Sequence, residues 1–312
     1  MLAVRVQGGL GNQIFQYLFA LELKERFPEA DVAIDLNSYN RFRPHNGYEL
    51  EKWEEQDPRI RRLTGREFFR ITGKLPYIGS RTLQASTAPA AKVLCKLTGG
   101  MNRCVDLINR ALPEKGNTVR QEYTDGYPDI DLNSLDPAAD RYFDGTWFSQ
   151  QLSKTVLQER FRFRPMVDPE FPELRAQLKQ ETAVSIHIRH GDYPAWGYEL
   201  LSDRYYREAI GYMKERLADP SFYIFSDDPE YARTVIAPMC GKKVTVIERK
   251  AMADGCLDMQ LMASCSNHII ANSTFSLAAW ELSRKDGLLV APRTWIHGNT
   301  TWDIPNCHYL NA

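Results

Sequence analysis

Short apolar runs alternate with longer amphipathic stretches along most of the chain. Runs with the length and composition of buried strands lie at residues 2–6, 30–35, 183–188, 221–226, 243–248, 267–271 and 287–292. Apolar residues at helical spacing predict helices at 12–26, 203–217 and 229–236. Such alternation is typical of parallel sheets that are covered by helices on both faces. The sequence therefore predicts an α/β fold.

The same pattern divides the chain into two parts. With 312 residues, the chain is longer than an average single domain. The segment 161–174 carries three prolines and interrupts the periodicity, so we place a boundary there. We predict an N-terminal Rossmann-like domain over 1–170 and a C-terminal one over 171–312. The irregular segment 80–120 is expected to form surface helices and loops.

The composition of the chain argues against several classes of protein. Lys and Arg number 39 against 40 Asp and Glu, so the net charge of -1 favours neither nucleic acid nor anionic lipid. The six cysteines form no CxxC pair, which argues against a disulfide framework or a structural zinc site. No apolar run approaches the ~18 residues of a membrane span, and no signal-peptide pattern opens the sequence. We expect a cytoplasmic protein with no transmembrane segment; peripheral contact with the inner membrane stays open.

A glycine-rich turn, VQGGLGNQIFQ at 6–16, joins the first predicted strand to the first helix. Gly9 and Gly11 permit close backbone approach, and the helix N-terminus offers N–H groups to a phosphate or an acceptor sugar. Asn12 is positioned to cap that helix. A plain strand-to-helix turn with a capping Asn explains the pattern equally well.

A dinucleotide-binding enzyme is an alternative interpretation of this turn. Asp35, at the end of the second predicted strand, lies where such folds place the acid that binds ribose. The loop reads GGLGNQ and lacks the third glycine of GxGxxG. We therefore keep an NAD(P)-dependent enzyme as the minor alternative.

The segment SIHIRHGDY at 185–193 continues a predicted strand into polar and cationic residues. Ligands of open α/β sheets bind at the carboxyl ends of strands. His187 and Arg189 point to the same side of the strand, and a guanidinium binds phosphate oxygens bidentately. The sequence predicts a diphosphate grip here; a surface ion pair between Arg189 and Asp192 is the alternative.

Two adjacent carboxylates, Asp227 and Asp228, follow the apolar strand at 221–226. An aspartate there can accept hydrogen bonds from a base or from a ribose hydroxyl. Asp228 can instead cap the helix that Pro229 begins. We expect one of the two to bind the ligand and the other to serve as the cap.

The segment NSTFS at 272–276 places amide and hydroxyl groups at the start of an apolar helix. Asn272, Ser273, Thr274 and Ser276 suit a second phosphate site at a helix terminus. Capping accounts for one or two of them.

A metal site has little support in the sequence. Asp129 and Asp131 form a DxD, but no apolar strand precedes them, so a solvated turn is favoured. The six histidines show no metal-binding spacing, and His268 is interpreted as structural. No cofactor and no divalent metal are predicted.

Taken in order, these motifs resemble those of the bacterial α-1,2-fucosyltransferase family, which is related to protein O-fucosyltransferases and α-1,6-fucosyltransferases. GGLGNQIFQY at 8–17 is similar to the family's opening loop, and FDGTWFSQQL at 143–152 to its aromatic segment. The HxRRxD signature falls on His187 to Asp192. The SDD at 226–228 and the NSTFS at 272–276 match further nucleotide-side motifs.

The resemblance implies a GT-B-like pair of facing Rossmann-like domains, GDP-β-L-fucose as donor, a galactose-terminated glycan as acceptor, and inversion by one in-line displacement. Arg189 would bind the β-phosphate, and Asp227 or Asp228 would contact guanine or ribose. The remaining expected donor-binding residues are Gly9, Gly11, Asn12, Gln13, His187, His190, Asn272, Ser273, Thr274, Phe275 and Ser276.

The chain departs from the signature at one position, because His190 follows Arg189 where the family usually has a second arginine. A histidine is only partly charged near neutral pH, so its grip on phosphate is weaker, or the position is structural. Asp192 is the candidate general base; holding Arg189 in place is its alternative role. A related transferase that uses another nucleotide sugar stays an alternative, because the loop sequences do not fix the base. The acceptor beyond terminal galactose is not specified by the sequence.

Overall fold

In the computed structural model, the chain divides into two α/β units. The described residues are 1–42, 46–52, 56–79, 100–121, 130–147, 166–191, 193–250, 254–283, 287–295, 304 and 306–311. Residues 1–121 and 130–147 belong to the first unit, and the described residues from 166 onward belong to the second.

The first unit contains a five-stranded parallel sheet in the order β3-β2-β1-β5-β4. Its strands are β1 (Leu2–Arg5), β2 (Val32–Asp35), β3 (Ile60–Arg62), β4 (Thr118–Arg120) and β5 (Arg141–Asp144). Its helices are α1 (Leu10–Arg26), α2 (Ser38–Arg41), α3 (Gly65–Thr72) and α4 (Met101–Ala111), with 3₁₀ turns at Leu50–Lys52 and Leu132–Ser134. The central strands β1 and β2 are buried almost throughout, as continuous apolar runs in parallel sheets are.

The second unit contains a six-stranded parallel sheet in the order β11-β10-β9-β6-β7-β8. Its strands are β6 (Ala183–Ile188), β7 (Ser221–Ser226), β8 (Val244–Ile247), β9 (Asn267–Ile269), β10 (Leu289–Pro292) and β11 (Cys307–Leu310). Counted from β6, this is the strand order of the dinucleotide-binding doubly wound fold, with β6 at the centre. The two parallel-sheet α/β units confirm the predicted fold class.

Helices and short turns connect these strands. The helices are α5 (Leu174–Gln180), α6 (Asp203–Arg216), α7 (Pro229–Tyr231), α8 (Ala237–Cys240), α9 (Gly255–Met262) and α10 (Thr274–Leu282), with a 3₁₀ turn at Pro194–Trp196. The core lies between the sheet and α6, where Ile186 and Ile224 pack with Tyr205, Ala209 and Met213. The predicted strands at 183–188 and 221–226 match β6 and β7.

The predicted helix at 229–236 is longer and less regular than expected. A π-helical segment, Ala232–Ile236, joins α7 to α8, and the helical region extends to Cys240. Pro238 has no N–H to donate to the preceding turn, and its ring crowds that turn. A widened π turn just before such a proline relieves the conflict.

The segment after the predicted boundary prolines is anchored to the second unit. Asp168 is paired with the buried Arg249, whose Nη2 lies 2.8 Å from Oδ2, and Lys250 N donates to Glu170 at 2.7 Å. Residues 166–170 are thus part of this fold, although the sequence placed them before the boundary. Near the C-terminus, β11 adds an edge strand beside β10. Within the described residues, no helix is long and apolar enough to cross a membrane.

Candidate functional site

The pairing of β6 with β9 ends early at the carboxyl edge of the second sheet, and we call the space between these two strand ends the crevice. The pairing of β6 with β7 continues to Ile188 and Ser226, whereas the pairing of β6 with β9 ends at Ile186 and Ile269. The chain leaves β6 toward β7 on one side and returns to β9 on the other. This is the topological switch point, where ligands of open α/β sheets bind.

Arg189 lies immediately after β6, at the edge of this crevice. Its Nη1 is 2.7 Å from Oδ2 of Asp227, and its guanidinium lies 5.5 Å from the ring centre of Tyr193. The other Asp227 oxygen accepts from the backbone N–H of His190 at 2.8 Å. The Arg189 side chain is still 19% exposed. Asp227 therefore orients a cation whose charge can reach a ligand.

His190 contacts the second carboxylate. Its Nδ1 is 3.3 Å from Oδ2 of Asp228, and its ring lies 4.2 Å from that of Tyr231. The other Asp228 oxygen accepts from the Tyr231 N–H at 3.1 Å, which makes Asp228 the cap of α7. This backbone hydrogen bond, followed by the contact with His190, lowers the pKa of Asp228. Of the two acids, Asp228 is therefore the one that caps.

His187 is buried beneath Arg189, with 6% of its surface exposed. Its Nδ1 has no hydrogen-bond partner among the described residues, and its ring centre lies 5.5 Å from that of Phe275. Burial, which the charge of Asp227 opposes and that of Arg189 reinforces, lowers its pKa to about 4. Near neutral pH, His187 presents a neutral imidazole with one unused nitrogen.

Asn272 supplies a second unused polar atom, across the crevice. It is 2% exposed, and its Oδ1 lacks a partner within the described parts of the chain. Its Nδ2 donates to Glu199 O at 3.1 Å, which fixes the amide. Its backbone carbonyl accepts from the Tyr193 hydroxyl at 2.9 Å. Buried polar atoms are normally paired, so two unpaired ones here mark a place for ligand or water.

The start of α10 uses two of its predicted ligand groups for its own structure. Ser273 caps the helix by accepting from Phe275 N at 3.3 Å. Ser276 is fully buried and donates to the carbonyls of Ala271 and Ser273 at 3.4 and 3.2 Å. Ser276 thus points into the fold, contrary to the ligand role expected from the sequence. Thr274 and Phe275, both half-buried, form the first turn beside the crevice.

The glycine-rich turn of the first unit differs from its prediction. Gly8 has a φ of +82°, and a Cβ there would lie 2.5 Å from Nδ2 of Asn12, so the position requires glycine. The helix begins at Leu10 with Gly9 as its cap, and no side chain caps it. Asn12 is thus inside the first turn, and the predicted capping role is wrong. Gly11 is buried within the helix.

Gln13 is fully committed within the first unit. Its Nε2 donates to Gly8 O at 3.1 Å and to Gly47 O at 2.7 Å. Its Oε1 accepts from Glu49 N at 2.9 Å and from Leu50 N at 3.2 Å. The buried amide has no capacity left, so the structure gives Gln13 a structural role in place of the expected donor contact.

Asp35 also lacks the accessibility that the dinucleotide alternative requires. Only 3% of its surface is exposed; one oxygen accepts from the Tyr142 hydroxyl at 2.6 Å and the other from Asn37 N at 2.9 Å. Burial raises its pKa, against the hydrogen bond from Tyr142. A ribose-binding acid must face the ligand, and this one faces the core.

Several predicted positions lie outside the described residues. They are Asp192, Asp129 and residues 148–152 of the aromatic segment. Asp131 is described, and its Oδ1 accepts from Asn133 N at 2.9 Å at the start of a 3₁₀ turn. Ser185 contacts Nδ1 of the buried His268 at 2.8 Å, in keeping with a structural histidine. The ligand contacts expected of the site residues stay predictions.

Sequence reasoning missed the role of Tyr193 and the ion pair between Arg189 and Asp227. Asp227, at the end of the neighbouring strand, pairs with Arg189, and Asp192, the partner in the alternative interpretation, lies outside the described residues. Parallel pairing of β6 and β7 brings these strand ends together, which was the available signal. Nothing in the sequence indicated that the Tyr193 hydroxyl would join the two sides of the crevice.

The chain matches a known protein family over the residues that form the crevice. The model of glycosyl transferase family 11 matches residues 122–303, more than half of the chain and a range that contains the whole crevice. The chain belongs to glycosyl transferase family 11.

Two relatives of this family 11 protein have names that describe glycosyl transfer. It is 26% identical over 314 residues to the Escherichia coli "Alpha-1,2-colitosyltransferase", covering 95% of this chain and 92% of that protein. It is 35% identical over 133 residues to the "O-antigen biosynthesis glycosyltransferase WbnK" of Escherichia coli, which covers 41% of this chain and 43% of that one.

Solved structures show weaker likeness. The fucosyltransferase NodZ from Bradyrhizobium aligns with a TM-score of 0.47 at 14% identity, over 89% of this chain and 90% of that one. The Escherichia coli ADP-heptose heptosyltransferase II aligns with a TM-score of 0.43 at 9% identity, over 99% and 89%.

Proposed function

We propose that this family 11 glycosyltransferase moves L-fucose from GDP-β-L-fucose to the 2-hydroxyl of a terminal galactose in an oligosaccharide or surface polysaccharide. The observation that carries the proposal is the switch-point crevice, where Arg189 follows β6 and where His187 and Asn272 each have a buried polar atom without a partner among the described residues. Support for an α-1,2 transfer comes from the relative that is named an α-1,2-colitosyltransferase. The name of WbnK supports a role in O-antigen synthesis.

The proposed reaction is one in-line displacement that inverts the anomeric carbon. The acceptor oxygen forms a bond to that carbon while the bond from it to the β-phosphate oxygen breaks, and GDP leaves with both electrons. Negative charge then develops on the diphosphate. Asp227 holds Arg189 at 2.7 Å, and such pre-oriented donors lower barriers of this kind.

The proposed chemistry needs no divalent metal, because Arg189 and the N–H groups at the start of α10 stabilise the leaving group. The acceptor proton is lost late in so dissociative a reaction, and Asp192 is the proposed base. His187, neutral with a pKa of about 4, contributes a hydrogen bond and no charge.

A second donor follows from a specific observation. The relative aligned over 95% of the chain is named for colitose, so nucleotide-activated colitose is the competing donor. A cytoplasmic location stays part of the proposal, as does peripheral contact with the inner membrane.

The test is transfer to lactose or another terminal galactoside from GDP-fucose and, separately, from GDP-colitose, each with and without EDTA. Product linkage is determined by NMR. An EDTA-insensitive Fucα1-2Gal product is expected. Transfer only from the colitose donor would replace the donor assignment, and loss of product in EDTA would overturn metal independence. Thermal stabilisation by NAD(P) without stabilisation by GDP would favour the alternative function, that of an NAD(P)-dependent enzyme.

A further inference from the structure

Two adjacent tyrosines of α6 fill hydrogen-bonding positions that the sheet leaves open at the crevice. Ile270 N donates to Val290 O at 3.0 Å, so the parallel pattern places Pro292 where a donor to Ile270 O should be. Proline has no N–H. The Tyr205 hydroxyl takes this place, donating to Ile270 O at 2.6 Å and lying 3.5 Å from Val290 O.

The hydroxyl of the second tyrosine, Tyr206, likewise bonds to a strand carbonyl that has no ladder partner, in this case on β6. The pairing of β6 with β9 ends at Ile186 and Ile269, so the next carbonyl of β6, that of His187, lies past the end of the ladder. The Tyr206 hydroxyl donates to it at 3.1 Å. Burial raises the pKa of both phenols well above the usual value, so both remain protonated donors.

A third hydroxyl joins the two sides of the crevice from above. Tyr193, in the loop after β6, donates to Asn272 O at 2.9 Å while its ring supports Arg189 at 5.5 Å. The hydroxyls of Tyr193, Tyr205 and Tyr206 therefore reach the backbone at both strand ends that form the crevice. We name these three residues the tyrosine clamp.

We propose that the tyrosine clamp sets the width of the crevice and thereby positions His187, Arg189 and Asn272 for the diphosphate of the donor. Tyr205 and Tyr206 are neighbours on one rigid helix, so their hydroxyls hold the ends of β9 and β6 at a fixed separation. Each clamp residue acts through another residue and is a positioning residue. This inference rests on the proposed function, because it takes the crevice as the donor site.

The test replaces each clamp tyrosine by phenylalanine, which removes the hydroxyl and keeps the packed ring. We expect Tyr193→Phe, Tyr205→Phe and Tyr206→Phe each to raise the Kd for GDP, by up to about tenfold, because the free energy of one lost intramolecular hydrogen bond is the most that such a change can transfer to binding. GDP affinity is measured by titration calorimetry well below each variant's melting temperature, and the donor KM and kcat are measured separately. Tyr193→Leu, which also removes the ring beneath Arg189, should weaken GDP binding more than Tyr193→Phe.

The matched control is Tyr212→Phe on the same helix. Tyr212 stacks on His308 at 3.9 Å and on Arg216 at 3.7 Å, away from the crevice. Its replacement should leave the Kd for GDP unchanged.

The outcomes separate the clamp from the proposed function. If the wild-type protein binds GDP and the three clamp variants bind it equally well, with lower melting temperatures alone, the clamp is purely structural and the inference is overturned. If one variant does not fold, the remaining two decide. Absence of GDP binding by the wild-type protein would overturn the proposed function, and the clamp with it.

Discussion

Both units have a switch point between their central strands. Glutamine side chains bridge it with hydrogen bonds in the first unit, whereas buried polar atoms stay unused beside it in the second. In the first unit, Gln16 spans the ends of β1 and β5, accepting from Gln7 N at 2.9 Å and donating to Gly145 O at 2.9 Å. Gln13 fills the neighbouring space with four further hydrogen bonds. In the second unit, strands β6 and β9 separate, and His187 and Asn272 keep unused atoms.

This difference shows that strand order alone does not make a binding site. Both sheets are parallel, and both present strand ends beside a helix N-terminus. At the switch point of the first unit, the Gln13 and Gln16 side chains are already hydrogen-bonded to the backbone, so a ligand of these two amides would have to break existing hydrogen bonds. Polar groups of the crevice gain partners when a ligand enters, which is favourable because buried unpaired groups are costly.

The largest expected effect is on catalysis, from Arg189→Ala. Removing the cation at the crevice should lower the rate of fucosyl transfer by about 10²-fold or more, because the leaving diphosphate loses a pre-oriented donor. The melting temperature should change little, since Arg189 is partly exposed. Arg204→Ala is the control, because Arg204 is 82% exposed on α6. Wild-type turnover in Arg189→Ala would contradict the assignment of catalysis to the crevice.

The next effect is on stability, from Gln13→Ala. Loss of this amide removes four hydrogen bonds to the backbone of the first unit, and only Gly8 O keeps a second donor, the Tyr39 hydroxyl at 2.9 Å, among the bonds described, so the free energy of unfolding should fall by about 3 kcal/mol. Urea denaturation measures the loss, and GDP affinity of the folded protein should stay the same. Gln177→Ala, at an exposed position, is the control. Weaker GDP binding with unchanged stability would instead assign Gln13 to the ligand.

A smaller effect concerns pH and His187. Its folded pKa of about 4 lies below the ordinary 6.5, so protons favour the unfolded chain. Its contribution to stability is complete above pH 6.5 and is lost as the pH falls toward 4. Between pH 7 and pH 5 the loss should be about 2 kcal/mol. Urea denaturation of the wild-type protein and of His187→Asn should therefore differ in pH dependence. Parallel curves would contradict the burial of a neutral imidazole.

The smallest effect is expected from Asp131→Asn in the first unit. Asp131 caps a short 3₁₀ turn, and asparagine is an equally good cap. The transfer rate should stay within about twofold of wild type, and stability should change by about 0.5 kcal/mol or less. Rates are measured with EDTA and with added Mn²⁺. A large loss that Mn²⁺ restores would mean that a metal, and not Arg189 alone, meets the diphosphate charge.

Local pattern was enough to predict the central strands and the polar residues that follow them. The apolar runs at 183–188 and 221–226 match β6 and β7, because a strand buried on both faces must be apolar throughout. Polar residues that follow such strands necessarily meet at one edge of a parallel sheet. Asp228 as a cap was also foreseeable, since Pro229 begins the next helix.

Other features depend on contacts between distant segments. The sequence did not indicate that Asp227 pairs with Arg189, because the contact depends on the pairing register of β6 and β7. Asn12 and Gln13 had the composition of a ligand loop, yet Gly9 became the cap and Gln13 bonded to a segment more than thirty residues away. The number of hydrogen bonds that a side chain can form follows from its residue type. Which groups it bonds depends on which segments meet in the fold.

Sequence by itself determined the α/β class, the central strands and the chemistry that gathers at their ends, because periodicity and residue type act locally. Tertiary structure alone decided which switch point stays open. A proline in β10 and the end of the β6–β9 pairing leave carbonyls for Tyr205 and Tyr206, while Gln16 bridges the corresponding strands of the first unit. These outcomes depend on register and on long-range hydrogen bonds, and neither is encoded in any single stretch of chain.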